Sequence, residues 1–321
     1  MRGKHRVVVQ NNKLHYEFEI KRNITIIQGD SATGKTTLIE MITQFQNLGA
    51  SSGIEVICDV PCRTISGIDW KLILNNTHDS IVFLDEENSF INTKEFADIV
   101  SGSDNYFVII TRENLYSLPY SVEEIYGLRA SGKYQNTNRI YQDFYNIYST
   151  TQENPVEPEV VITEDSKSGC DFFTAVCEEK GKKCISADGK SNLFRLVKEK
   201  EGEEICVIAD GAAIGPEMNR LYEQVRKNPK LKLYLPESFE WIILKSGIVG
   251  GKKVDDILAH PEDFIESQFF FSWERYFEKL LIEQTEGMYL QYKKAKLNAA
   301  YLHDKNKRAI LSVLGEGNLI I

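Results

Sequence analysis

The residues best suited to chemistry lie in one run, Gly29-Asp30-Ser31-Ala32-Thr33-Gly34-Lys35-Thr36, with Thr37 directly after it. Two glycines separated by four residues, then Lys and Thr, is the spacing with which a backbone wraps a polyphosphate. Gly29 and Gly34 let the chain curl until successive N–H groups point inward. A helix opening at Lys35 turns the positive end of its dipole on the same anion. Lys35 then reaches the β- and γ-phosphates, and the Thr36 hydroxyl reaches Mg²⁺. The expected ligands are ATP and Mg²⁺. ATP is preferred over GTP because the chain holds no Asn-Lys-x-Asp guanine-reading motif.

Two further clusters belong to the same chemistry. The apolar run 80–84 closes on Asp85-Glu86-Glu87. Asp85 is placed to hold the magnesium, through a water or through Thr36, and Glu86 to polarise the attacking water. The structural alternative is an acid-rich helix start, where carboxylates sit well against the dipole. The fully apolar run 106–110 ends in Thr111-Arg112. Thr111 is the candidate sensor of the γ-phosphate. Arg112 serves phosphate in cis or reaches a neighbouring subunit's nucleotide. A salt bridge from Arg112 to Glu86 or Glu113 is the alternative for that side chain.

These residues need elements to position them. Runs 5–10 and 14–20 alternate like strands and meet at Asn11-Asn12, a hairpin turn. The strand-like run 24–27 precedes the glycine loop, and Leu38, Ile39, Met41, Ile42 and Phe45 follow it at helical spacing. Residues 54–59 read as a strand and 93–100 as a helix. Residues 125–130 and 139–147 read as strands that end the module. Arg129, Lys133 and Arg139, interleaved with Tyr134, Tyr141 and Tyr145, read as a solvated antiparallel face before a nucleic-acid surface. The polar stretch 152–158, with Pro155 and Pro158, marks a domain boundary.

Beyond it, runs 160–163, 204–209 and 231–235 read as strands, with helices over 170–180 and 216–227. Each strand ends in an acid: Glu164, Asp210, and Glu237 or Glu240. In a parallel sheet those ends share one edge, where three carboxylates could gather around a divalent metal. Glu240 is preferred to Glu237 because the helix-like run from Phe239 would hold it rigidly. From 254 onward the chain reads as helices with an aromatic stripe (Phe264, Phe269, Phe271, Trp273, Tyr276, Phe277), taken as core or subunit interface. Residues 289–296 and 305–308 form the one basic concentration, read as a helix that either tracks a phosphate backbone or is a solvated face.

At these residues a family resemblance appears. Glu164-Asp-Ser-Lys-Ser-Gly-Cys-Asp171 resembles the first motif of TOPRIM domains. Ile208-Ala-Asp210-Gly-Ala-Ala-Ile-Gly215 resembles their Asp-x-Asp turn, and Leu235-Pro-Glu-Ser-Phe-Glu240 their later Leu-Pro…Glu element. A P-loop ATPase followed by such a domain is similar to the OLD family of ATPase-nucleases, many of them used against phage. The resemblance implies metal held by Glu164, Asp210 and Glu240, and DNA as the substrate. It departs at Ala212, which stands where the second Asp of the Asp-x-Asp would fall.

Composition bounds the rest. The 321 residues suffice for two domains with their own cores. The net charge of −9 excludes a polycation, so DNA must meet a local basic patch. No apolar run approaches a membrane span, and no signal-like core follows Met1, so the expected compartment is the cytoplasm and no membrane partner is expected. The six cysteines lack C-x-x-C pairs and read as small buried residues under reducing conditions. The expected fold is α/β: a P-loop NTPase domain over 1–151, a smaller TOPRIM-like α/β domain over 159–253, and a helical tail over 254–321. Self-association or a partner protein is expected. The competing function is a regulatory nucleotide switch whose second domain binds a partner without cleaving it.

Overall fold

The computed structural model describes residues 1–29, 33–132, 138–149 and 155–321. The expectations for Asp30, Ser31, Ala32, Lys133 and Tyr134 lie outside the described residues. The chain is mixed α/β and divides into two compact units. Unit 1 comprises Met1–Ile147 with Pro261–Ser272, and unit 2 comprises Tyr148–His260 with Trp273–Ile321. Residues beyond 254 are thus shared between the units.

Unit 1 opens with the hairpin, β1 (His5–Gln10) antiparallel to β2 (Leu14–Ile20), Gln10 opposite His15. The Asn11 side-chain oxygen accepts the N–H groups of Lys13 and Leu14, both at 2.8 Å, and so holds the turn. β3 (Ile24–Ile27), β6 (Ile81–Leu84) and β7 (Tyr106–Ile110) are buried at every position, as strands covered on both faces must be. β3 pairs parallel with β7 and with β8 (Ile125–Ala130). β7 pairs parallel with β6, and β6 with β5 (Cys62–Thr64). The C-terminal ends of these neighbouring strands therefore meet at one edge. β4 (Glu55–Ile57) flanks β1, and β9 (Ile140–Asn146) joins the hairpin to β8, giving the order β4-β1-β2-β9-β8-β3-β7-β6-β5.

Helix α1 (Lys35–Leu48) buries Leu38, Met41 and Ile42 in one cluster with Val7, Phe18, Phe83 and Val108. In α2 (Trp70–Asn75), Trp70 stacks on Phe90 at 4.5 Å. Helix α3 (Lys94–Val100) is capped by Thr93, whose hydroxyl accepts the Phe96 N–H. Glu124, just before β8, is fully buried, 3.4 Å from the Arg22 guanidinium and accepting the Thr25 hydroxyl at 3.3 Å. Burial pushes its carboxyl up to about 7 in spite of Arg22 and Lys21.

Unit 2 holds an all-parallel sheet in the order β11-β10-β12-β13, from β10 (Val160–Thr163), β11 (Lys183–Ser186), β12 (Ile205–Ile208) and β13 (Leu231–Tyr234). Helices α4 (Ser168–Glu179), α5 (Lys190–Glu199), α6 (Met218–Lys227), α7 (Phe239–Lys245), α8 (Lys252–Ala259), α9 (Trp273–Thr285) and α10 (Asp304–Glu316) complete it. β11 and α5 are not apparent in the sequence, because an edge strand of mixed exposure carries little apolar signal. The aromatic stripe resolves into core at Trp273 and Phe277, while Phe269 is exposed. The basic run 289–296 is not a helix but irregular chain; Lys305–Arg308 alone lies in α10. All six cysteines are free thiols. Among the described residues no helix is long and apolar enough to cross a membrane.

Candidate functional site

The glycine loop leaves β3 at its C-terminal end and enters α1. Gly29 has φ +123° and Gly34 φ +91°, both in the left-handed region that favours glycine. At Gly34 the packing is equally restrictive, since a Cβ there would sit 2.9 Å from the Tyr16 hydroxyl. That hydroxyl donates to the Gly34 carbonyl at 2.9 Å, so β2 braces the loop from outside. Lys35 is buried, although it carries a charge. Its ammonium donates to the Gly29 carbonyl at 2.8 Å and to the Thr33 hydroxyl at 2.9 Å. The ammonium is thus folded back across the loop mouth. Thr36 is exposed and Thr37 half-buried, both in the first turn of α1.

Because β3, β6 and β7 run parallel, they deliver the other candidates to the same edge. Asp85 and Glu86 follow β6 directly and are half-buried; the Asp85 carbonyl accepts the Asn88 N–H and amide side chain, both at 3.1 Å, which sets the turn. Thr111 follows β7 and is buried. Its N–H donates to the Ile27 carbonyl at 3.2 Å, and its hydroxyl accepts the Glu113 N–H at 3.0 Å. Arg112 is exposed and pairs with Glu86 at 3.2 Å, so of its two salt-bridge alternatives Glu86 is the partner found.

Unit 2 gathers its own charges. Glu164 follows β10, Asp210 follows β12 and Glu240 lies in the first turn of α7. All three line one cavity of about 40 Å³. The Glu164 carboxylate accepts the Asp210 backbone N–H at 3.2 Å. Gly211 is required beside it, because a Cβ would collide with the Leu235 carbonyl. Glu237 does not line the cavity. Ala212 is buried and donates its N–H to the Glu237 carbonyl at 3.3 Å.

The acids raise one another. Burial first, then Glu274, pushes the Glu164 carboxyl up to about 7. Burial, then Glu274, Glu164 and Glu240, lifts Asp210 well above the usual carboxylate range. Against them stands Lys294, 3.5 Å from Glu240, 3.4 Å from Glu278 and 3.9 Å from Glu274. Burial pulls its ammonium down, but Glu240, Asp210, Glu274 and Glu278 more than offset this and hold it charged. Among the described residues no group of three or more His, Cys, Asp or Glu side chains is placed to hold a metal ion.

Several of these residues escape sequence reasoning. Tyr16 occupies an inward slot in the alternation of β2, but nothing in the pattern says that it meets Gly34. Glu274 and Lys294 come from α9 and from irregular chain, far from the strand-end acids in sequence. Lys294 also corrects the basic run, because its charge is directed inward, and Lys307 likewise pairs with Glu179 at 2.7 Å. No protein-family model and no curated protein matches the chain.

Proposed function

We propose that unit 1 binds ATP with Mg²⁺ at loop 29–36 and hydrolyses it, and that this nucleotide cycle governs a TOPRIM-like unit 2 that acts on DNA, as in phage defence by OLD-type proteins. The observation that carries the reading is Lys35: a buried lysine directly after the second of two left-handed glycines, at the strand edge to which Asp85, Glu86 and Thr111 are also brought. A lysine folded back on a loop carbonyl and hydroxyl has ready donors for an anion that displaces those contacts. The N-terminus of α1 turns the positive end of its dipole on the same anion. Thr36 and Asp85 are the residues that would hold the magnesium, which would neutralise charge developing on the phosphates. Glu86 would take the proton of the attacking water, with Arg112 fixing its carboxylate. Thr111, held at the same strand edge, would sense the γ-phosphate.

The three acids around one cavity favour DNA cleavage by unit 2. The nucleotide-switch reading has its own support, in Ala212 and in the Lys294 ammonium among the acids. Plasmid nicking by the full chain, with and without ATP and Mg²⁺, separates the two. Cleavage that disappears in Asp210→Asn upholds the nuclease. ATP turnover with intact plasmid moves unit 2 to the switch, and no ATP turnover at all rejects the reading of unit 1.

A further inference from the structure

The nine-stranded sheet of unit 1 begins at β4 and ends at β5, yet only residues 58–61 link those two strands. Laid flat, the sheet would set its edges roughly 38 Å apart, at about 4.8 Å per neighbouring pair. From Ile57 to Cys62 the chain spans at most about 18 Å. The sheet therefore curls around α1 until its two edges meet. Leu38, Met41 and Ile42 of α1 share one cluster with Val7 and Val9 of β1 and with Ile81 and Phe83 of β6, and Cys58, Val60 and Cys62 pack against it. Helix α1 also holds β5 directly. The Gln46 side-chain oxygen accepts the Thr64 N–H at 2.8 Å, and the Thr43 and Thr64 hydroxyls lie 2.9 Å apart.

A half-buried cysteine stands on each side of this seam: Cys58 directly follows β4, and Cys62 opens β5. The Cys62 thiol hydrogen-bonds to the Cys58 sulfur, which also accepts the Val60 N–H. These two donors hold the Cys58 thiol below its ordinary range, against burial and the Asp59 carboxylate, while Cys58 and burial push Cys62 far up. Asp59 is itself drawn to His5, whose Nδ1 lies 2.9 Å from the carboxylate. The ready thiolate is thus Cys58, with a protonated thiol beside it. An accessible thiolate next to a second cysteine is the arrangement that reacts selectively with oxidants.

We propose that Cys58 and Cys62 are a peroxide-reactive dithiol whose disulfide clips β4 to β5 and closes the seam of the sheet. The Cys58 thiolate attacks one oxygen of a hydroperoxide and the O–O bond breaks. The alkoxide or hydroxide released takes up the proton that Cys58 gave away. The Cys62 sulfur then attacks the Cys58 sulfenic sulfur; the S–O bond breaks, and the hydroxyl leaves with the Cys62 proton as water. The electron pair lost by the two thiols is gained by the hydroperoxide. Neither ATP nor Mg²⁺ enters these steps, so the dithiol stands apart from the nucleotide site.

The test uses full-length, nucleotide-free protein with limiting hydrogen peroxide as the probe, followed by alkylation and peptide mass mapping. The peptide carrying Cys58 and Cys62 should lose a pair of hydrogens severalfold faster than the buried Cys206 is oxidised, and dithiothreitol should restore it. Cys62→Ser should stop at a Cys58 sulfenic acid that dimedone traps, and Cys58→Ser should leave Cys62 reduced. Amide hydrogen exchange over residues 55–64 should slow severalfold in the oxidised wild type. The wild-type mapping needs no variant, which covers the case in which a serine variant does not fold. Oxidation of Cys58 and Cys62 no faster than that of Cys206 overturns the proposal, as does Cys58 pairing with any other cysteine. A disulfide that forms without slowing the exchange overturns the clip.

Discussion

Replacing Lys35 by methionine tests the nucleotide reading most directly. Methionine keeps most of the apolar stem that packs inside unit 1 and removes only the ammonium. Among the described residues that ammonium donates at 2.8 Å to the Gly29 carbonyl and at 2.9 Å to the Thr33 hydroxyl. On ATP binding these contacts would be exchanged for bonds to phosphate oxygens. A hydrogen bond to a charged group is worth about 1.5–3 kcal/mol. Two such bonds to phosphate come to about 3 kcal/mol at the lower end of that range, a loss of affinity of about a hundredfold. Calorimetric titration with ATP and Mg²⁺ at fixed salt reads this directly, with a thermal melt as the folding control. The variant should melt near the wild-type temperature, because the buried methionine no longer needs polar partners. A Kd within threefold of wild type in a folded Lys35→Met protein would refute the assignment of this loop as a phosphate site.

Glu86→Gln should keep ATP affinity and slow steady-state phosphate release by roughly a hundredfold, the scale of a general base; undiminished turnover would return Glu86 to a structural partner of Arg112. Tyr16→Phe removes the bond to the Gly34 carbonyl, worth about 1 kcal/mol, and should weaken ATP binding severalfold; equal affinity in the two proteins would make Tyr16 mere packing. For Glu124 the sign is set by a folded pKa of about 7, above the unfolded carboxylate value. The protonated form is favoured by folding, so this group's stability is fully present below about pH 4.3 and is lost as pH rises through 7. Glu124→Gln should flatten that fall by about 2.5 kcal/mol between pH 5 and 8 in urea melts of the full chain, and parallel pH profiles for the two proteins would contradict it.

The sequence alone determined the features whose signal is local. Asn11-Asn12 specified the first hairpin, because the Asn11 side chain closes the turn within a few residues. Continuous apolar runs specified β3, β6 and β7, since a strand covered on both faces has no polar slot to alternate. The glycine spacing with Lys35 located the candidate phosphate loop, whose glycines indeed take left-handed φ. Strand-end position located Glu164 and Asp210 beside one cavity, because parallel strands send like ends to one edge. The tertiary structure decided what depends on chain far away. Tyr16 bracing Gly34, Arg112 choosing Glu86, and residues 261–272 joining unit 1 are settled by packing between distant segments. The basic run 289–296 is the clearest case. Its composition suits a phosphate-tracking helix, yet the chain there is irregular and Lys294 points inward, because the carboxylates of Glu240, Glu274 and Glu278, brought from distant elements, stand 3.4–3.9 Å from its ammonium. Charge written in a sequence states how much is present; only the fold states which way it faces.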